Sequence, residues 1–161
     1  MGLDNQQERL AFLAGLIEGE GTITIQRSNK RKNGKHNILP IVQIANSNAE
    51  LIEFAVKTLR ETGASPYVYW KKQSEKTRAP SATIHLGGYN RVGSFLKVIT
   101  PYLISKRRQA EIVLSMCERR CNQPKNTPYA DEDLQAVDLI RQLNTKPGTR
   151  LRESPETIRS A

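Results

Sequence analysis

Leu13-Ala14-Gly15-Leu16-Ile17-Glu18-Gly19-Glu20-Gly21 decides how this chain reads. A helical stretch ends there in small residues and then presents two carboxylates between glycines. Working back from it, Leu10, Leu13, Leu16 and Ile17 recur at helical spacing and predict an amphipathic helix over Gln6–Gly19. Ala11, Gly15 and Gly19 fall four apart on an adjoining face, where a second backbone can approach closely. A glycine inside a helix costs about 1 kcal/mol against alanine, and packing against a second helix would offset that. Glu18 and Glu20 follow at the helix end, beside its unpaired carbonyls and partial negative charge. That is a poor place for an unpaired acid and a good one for a divalent cation. Taken alone, the acid–glycine run fits a solvated turn more readily than a site.

Working forward, Thr22–Ser28 alternates, with Ile23 and Ile25 on one face and Thr22, Thr24, Gln26 and Ser28 on the other, as a half-buried strand does. A basic loop to Asn37 leads to a second strand over Ile38–Ala45. Its inner face would be Ile38, Pro40, Val42 and Ile44 and its outer face Asn37, Leu39, Ile41 and Gln43, with Pro40 marking an edge or a bulge. Asn46-Ser47-Asn48 starts a helix that runs to about Glu61, with Leu51, Phe54, Ala55, Thr58 and Leu59 inward. Strands over Tyr67–Lys72 and Ser81–Leu86 flank another basic loop. Helices over Asn90–Ile99, Ser105–Arg120 and Asp131–Leu143 complete the chain. The fold class is α+β, one domain over 1–161: a core of about 6–120, a linker over 121–128, and a C-terminal helix with a polar tail over 129–161.

The chain has 161 residues, enough for a core, with 37% hydrophobic content. Its 25 Lys and Arg against 16 Asp and Glu give a net charge of +9, which favours a polyanionic partner, nucleic acid first. No apolar run reaches membrane-span length, so no membrane partner is expected. No signal peptide is evident at the start. Cys117 and Cys121 make no disulfide framework and read as plain helix thiols, which fits an intracellular, reducing location: a prokaryotic cytoplasm or an organelle matrix. His36 and His85 are too few for a histidine-based site.

The nine-residue run resembles the signature helix of the LAGLIDADG homing endonucleases, with Glu where each Asp of the family pattern stands. Element order and length extend the likeness over roughly Gln6–Arg120. The resemblance implies an αββαββα fold of the single-motif, homodimeric type, with extra C-terminal helices and a saddle-shaped antiparallel sheet for DNA. It implies that Glu20, matching the second acid, binds metal and is catalytic, and that the Gly19 carbonyl also ligates. Glu18 matches the less directly catalytic first acid. Lys106 matches a lysine near the scissile phosphate, where a cation stabilises the phosphorane or orients water. Asn46 matches a polar amide that organises water. Ala11, Gly15 and Gly19 form the dimer interface. Mg²⁺ or Mn²⁺ is the expected cofactor, with Ca²⁺ supporting binding without cleavage.

Strand parity then assigns the outer sheet face to double-stranded DNA: Thr24, Gln26, Ser28, Lys30, Asn37, Gln43, Tyr67, Tyr69, Lys71, Ser81, Thr83 and His85, with Lys32, Lys35 and Lys72 reaching outward to phosphates. A solvated sheet face would be polar as well; the basic loops at its ends favour nucleic acid. The function implied is a site-specific double-strand break in a target of roughly two turns of duplex, leaving short 3′ overhangs, in an intron-encoded protein. An RNA-binding maturase acting on intron RNA and a non-cleaving DNA-binding regulator are the alternatives on the same fold. A generic basic α/β protein with an accidental match is the third.

Overall fold

The structure, a computed structural model, describes residues 3–28, 32, 34–72 and 79–145. Helix α1 (Gln6–Glu20) runs without a loop into strand β1 (Gly21–Arg27). Then follow β2 (Ile38–Asn46), α2 (Ala49–Glu61), β3 (Tyr67–Lys71), β4 (Ser81–Gly87), α3 (Tyr89–Ile99), a single 3-10 turn (Thr100–Tyr102), α4 (Arg107–Cys121) and α5 (Asp131–Leu143). The four strands form one antiparallel sheet in the order β1-β2-β4-β3. Its core-facing side carries Ile23, Ile25, Val42, Ile44, Ile84 and Leu86 against Leu13 and Ile17 of α1, Phe95 and Leu96 of α3 and Val113 of α4. This is the predicted parity, and it leaves the other face of the sheet open.

Asn5 caps α1, its side chain accepting from Glu8 N at 2.8 Å. The helix end depends on Gly21, whose N–H goes back to Ile17 O. A Cβ on Gly21 would stand 2.7 Å from that oxygen, so the turn from helix to strand excludes any other residue without a backbone shift. The expected amphipathicity of α1 is absent: Leu10, Leu13, Ala14 and Ile17 are buried, yet Phe12, Ala11 and Gly15 form an uncovered side that is also apolar.

Three inward positions of α2 agree with the predicted set, Ala55, Thr58 and Leu59, but Ile52 is the fourth buried residue, while Leu51 and Phe54 are half-buried. Pro40 sits neither on an edge strand nor in a bulge: β2 is interior, and Pro40 pairs with Ile25 in unbroken register. Its carbonyl accepts from Gly88 N at 3.2 Å, just past the last β2–β4 pair, Ile41↔Gly87. The missing N–H therefore faces the side where β4 has already ended, and no ladder bond is lost. Where β4 stops, two tyrosines continue its work. Tyr129 Oη accepts from Ile38 N at 2.9 Å and Tyr89 Oη donates to Ile38 O.

The linker between α4 and α5 is fastened to the fold. Arg120 donates to Thr127 O (2.8 Å) and Pro128 O (3.3 Å), and its guanidinium lies 4.6 Å from the Tyr129 ring centre. Asp133, 1% exposed, pairs with Arg119 at 3.3 Å and Arg120 at 3.7 Å and accepts from Ala130 N. At the far end of α5, Asn144 Nδ2 donates to Ile23 O at 3.0 Å, capping a carbonyl on the free edge of β1. Cys117 is buried beside Gly93, and burial, with lesser contributions from Cys121 and Glu118, pushes its thiol up to about 12.

Candidate active site

Two side chains lock the end of α1 to the start of α4. The Glu18 carboxylate accepts from Ile104 N at 2.6 Å, Lys106 N at 3.2 Å and the Ser105 hydroxyl. Lys106 returns the favour: its ammonium donates to Ile17 O (2.7 Å), Glu18 O (2.8 Å) and Gly21 O (2.6 Å). The lysine thus gives a second donor to Ile17 O, takes up the Glu18 carbonyl at the helix terminus and the first carbonyl of β1, and its charge opposes the negative end of the helix. Partial burial raises the Glu18 pKa, but the bonds from Ser105, Ile104 and Lys106 outweigh it and hold the group below its ordinary value. Burial lowers Lys106, and the charges of Glu18 and Glu20 pull it back only in part.

Glu20 ends α1 and is exposed, close enough for its charge to act on Lys106. The Gly19 carbonyl is not among the three oxygens that Lys106 takes. The Glu20 carboxylate and the Gly19 carbonyl are hard oxygen donors on adjacent residues, a chemistry that suits Mg²⁺ or Ca²⁺. Among the described residues no three His, Cys, Asp or Glu side chains group into a metal cage. Asn46 closes β2 two residues beyond Ile44, which pairs with Gly21, and so lies at the same end of the sheet. Its Oδ1 is engaged by Asn48 N at 2.7 Å. All three donors of Lys106 are committed to the α1–β1 junction in this arrangement, so a direct phosphate contact would require it to release a carbonyl.

The residues expected at a dimer interface stand clear of the rest of the described chain. Ala11, Gly15 and Gly19 are exposed, and a Cβ on Gly15 or Gly19 would meet nothing within 4 Å. On the open sheet face, Gln26, Ser28, Tyr67, Tyr69, Lys71 and Lys72 are exposed, Thr24, Asn37, Gln43, Ser81 and His85 half-buried, and Thr83 only 8% exposed. Lys32 and Lys35 are exposed at the hairpin end; Lys30 lies outside the described residues. Gln43 Nε2 and His85 Nδ1 pair across the strands at 3.0 Å, and His36 Nδ1 lies 2.7 Å from Ser28 O. Sequence reasoning left five outer-face positions out of its set: Thr22, Leu39, Ile41, Ala45 and Gly87. Their parity was readable; their burial was not.

Residues 7–116 match the family model described as the LAGLIDADG-like domain. This chain belongs to the LAGLIDADG family. Among solved structures, the homing endonuclease I-CvuI in complex with its target and Ca superposes with a TM-score of 0.68 at 21% identity, covering 92% of each chain. The archaeal intron-encoded homing endonuclease I-Vdi141I complexed with DNA gives 0.59 at 13% identity, over 88% of this chain and all 100% of the other. I-GzeII in complex with its DNA target gives 0.58 at 14% identity, over 91% of this chain but 49% of the other. No curated protein matches the chain. At such identities these likenesses establish the LAGLIDADG fold, and the motif maps onto the α1 end described above.

Proposed function

We propose that this protein is a homodimeric, divalent-metal-dependent, site-specific DNA endonuclease. The observation that carries it is the exposed Glu20 at the end of α1, with Lys106 bound beneath it and an uncovered small-residue face running along the same helix. A second α1 packed on Ala11, Gly15 and Gly19 would bring a second Glu20 and Gly19 carbonyl to the axis, completing the shell that one chain lacks. I-GzeII supports this count, since the present chain spans about half of it. Structures of I-CvuI on DNA with Ca, and with Mg and uncleaved DNA, support duplex DNA and a divalent ion as partners.

Glu20 and the Gly19 carbonyl would hold the ion. When bound, it would supply neutralisation of the leaving oxygen and acidification of a water. The chain's own groups do the rest. Lys106 fixes the helix end that carries both ligands, Asn46 lies at the same end to orient water, and the open sheet face with its lysines holds the duplex. Hydrolysis adds water oxygen to phosphorus and breaks one P–O bond on each strand. Short 3′ overhangs and an intron-encoded origin are part of this proposal, as is an intracellular site of action.

The test is incubation with Mg²⁺ and a library of long duplexes, mapping any double-strand break. Glu20→Gln is expected to lose cleavage yet retain DNA binding in Ca²⁺. Undiminished cleavage by that variant would remove Glu20 from the chemistry; binding of RNA with no cut duplex would favour the maturase.

A further inference from the structure

One apolar side chain interrupts the polar outer sheet face. Leu39 is 38% exposed there, opposite Gln26 in the β1–β2 register. Two residues on, Ile41 lies on the same outer face, paired with Thr24 on β1 and Gly87 on β4. It is only 1% exposed, although it stands outside the main core cluster. Gly87 explains how. It has no side chain, and a Cβ there would stand 3.8 Å from Leu39 Cδ2 and 3.0 Å from His85 Nε2. Leu39 and His85 thus both reach the space that a side chain on Gly87, the partner of Ile41, would fill. Leu39 stands next to buried Ile41 on this face with part of its own surface exposed, and Gln26 is exposed beside it.

In the major groove the thymine C5-methyl is the distinctive apolar feature among base edges otherwise marked by donors and acceptors, and glutamine pairs with adenine through N6 and N7. We propose that Leu39 is a specificity-determining residue that reads a thymine methyl, with the adjacent Gln26 amide reading an adenine, at an A·T step of each half-site. The assignment rests on the DNA-reading role proposed above for this face. A polar residue at position 39 would leave that methyl against a group needing water. A leucine beside buried Ile41 gives it an apolar contact instead.

The test begins with bound duplexes selected from a randomised library in Ca²⁺. Each thymine of the recovered site is then replaced singly by deoxyuridine, which removes only the methyl. The wild-type protein is expected to lose about fourfold in affinity at one position per half-site, the effect of one buried carbon. Leu39→Ala should bind the thymine site more weakly and show no thymine–uracil difference there. Leu39→Met, which keeps the apolar reach, should retain the preference. A recovered site whose thymine preference survives in Leu39→Ala, or which has no such position, overturns this assignment and leaves DNA reading intact. Recovery of no preferred sequence overturns both.

Discussion

Glu18 and Glu20 stand two residues apart and do opposite work. Glu18 turns toward α4 and gives its oxygens to the turn at Ile104–Lys106; Glu20 faces outward with its charge toward Lys106. Because the native state lowers Glu18 below its ordinary value of 4.5, its contribution to stability is present above that value and is lost as pH falls through the native one. Glu18→Gln should therefore lower Tm near neutrality, and the gap to wild type should close as pH falls well below about 4.5. A gap independent of pH would show that the charge does not matter. The motif's glycines separate in the same way. Gly21→Ala forces a Cβ to 2.7 Å from Ile17 backbone and should cost about 1–3 kcal/mol in urea unfolding, whereas Gly15 has open space. The sequence made Glu20 legible through its place at a helix end. It did not show that Lys106 would spend its three protons on the α1–β1 junction, because that bond set joins residues 85 to 89 apart in the chain.

At the scale of elements, what was legible was what is periodic. Strand parity set the core-facing side correctly because alternation follows directly from the pleat. Pro40 misled because the local rule concerns a missing N–H, and whether a neighbour waits for that N–H depends on where β4 ends. Ile41 looked solvent-facing because parity counts side and not cover. The linker after α4 carried no periodic signal at all, yet Arg119, Arg120, Tyr129 and Asp133 make it an ordered strap. Asp133 is 1% exposed and stands between two guanidinium groups, so removing it leaves cations without a buried partner. Asp133→Ala should destabilise by about 3–5 kcal/mol in denaturant titration. It should also loosen hydrogen-exchange protection in α5 and at the Ile38 peptide, which depends on Tyr129. A loss under about 1 kcal/mol would mean that the strap is surface decoration.

For the whole molecule, the decisive feature is a helix with apolar residues on both its sides, one of which no described residue fully covers. A helix hydrophobic all round belongs in an interior, and the proposed dimer would give α1 one, made with another chain. The open face pairs small residues, Ala11, Gly15 and Gly19, with Phe12, which is 45% exposed even while its ring meets Phe54 edge-on at 5.0 Å. Small residues set how near two axes come, and that separation sets how close the two Glu20 groups lie. Gly15→Leu distinguishes this packing from any other. In the isolated chain a Cβ at position 15 meets no described atom within 4 Å and residue 15 is exposed, so the variant should fold with nearly unchanged Tm and helical circular dichroism. Between two chains the same side chain holds the helices apart. Sedimentation should then show a monomer where wild type is a dimer, and cleavage should fall with it while each monomer keeps weak, salt-sensitive duplex binding. A dimer that survives Gly15→Leu with full cleavage would place the twofold contact on some other surface and separate the two acids.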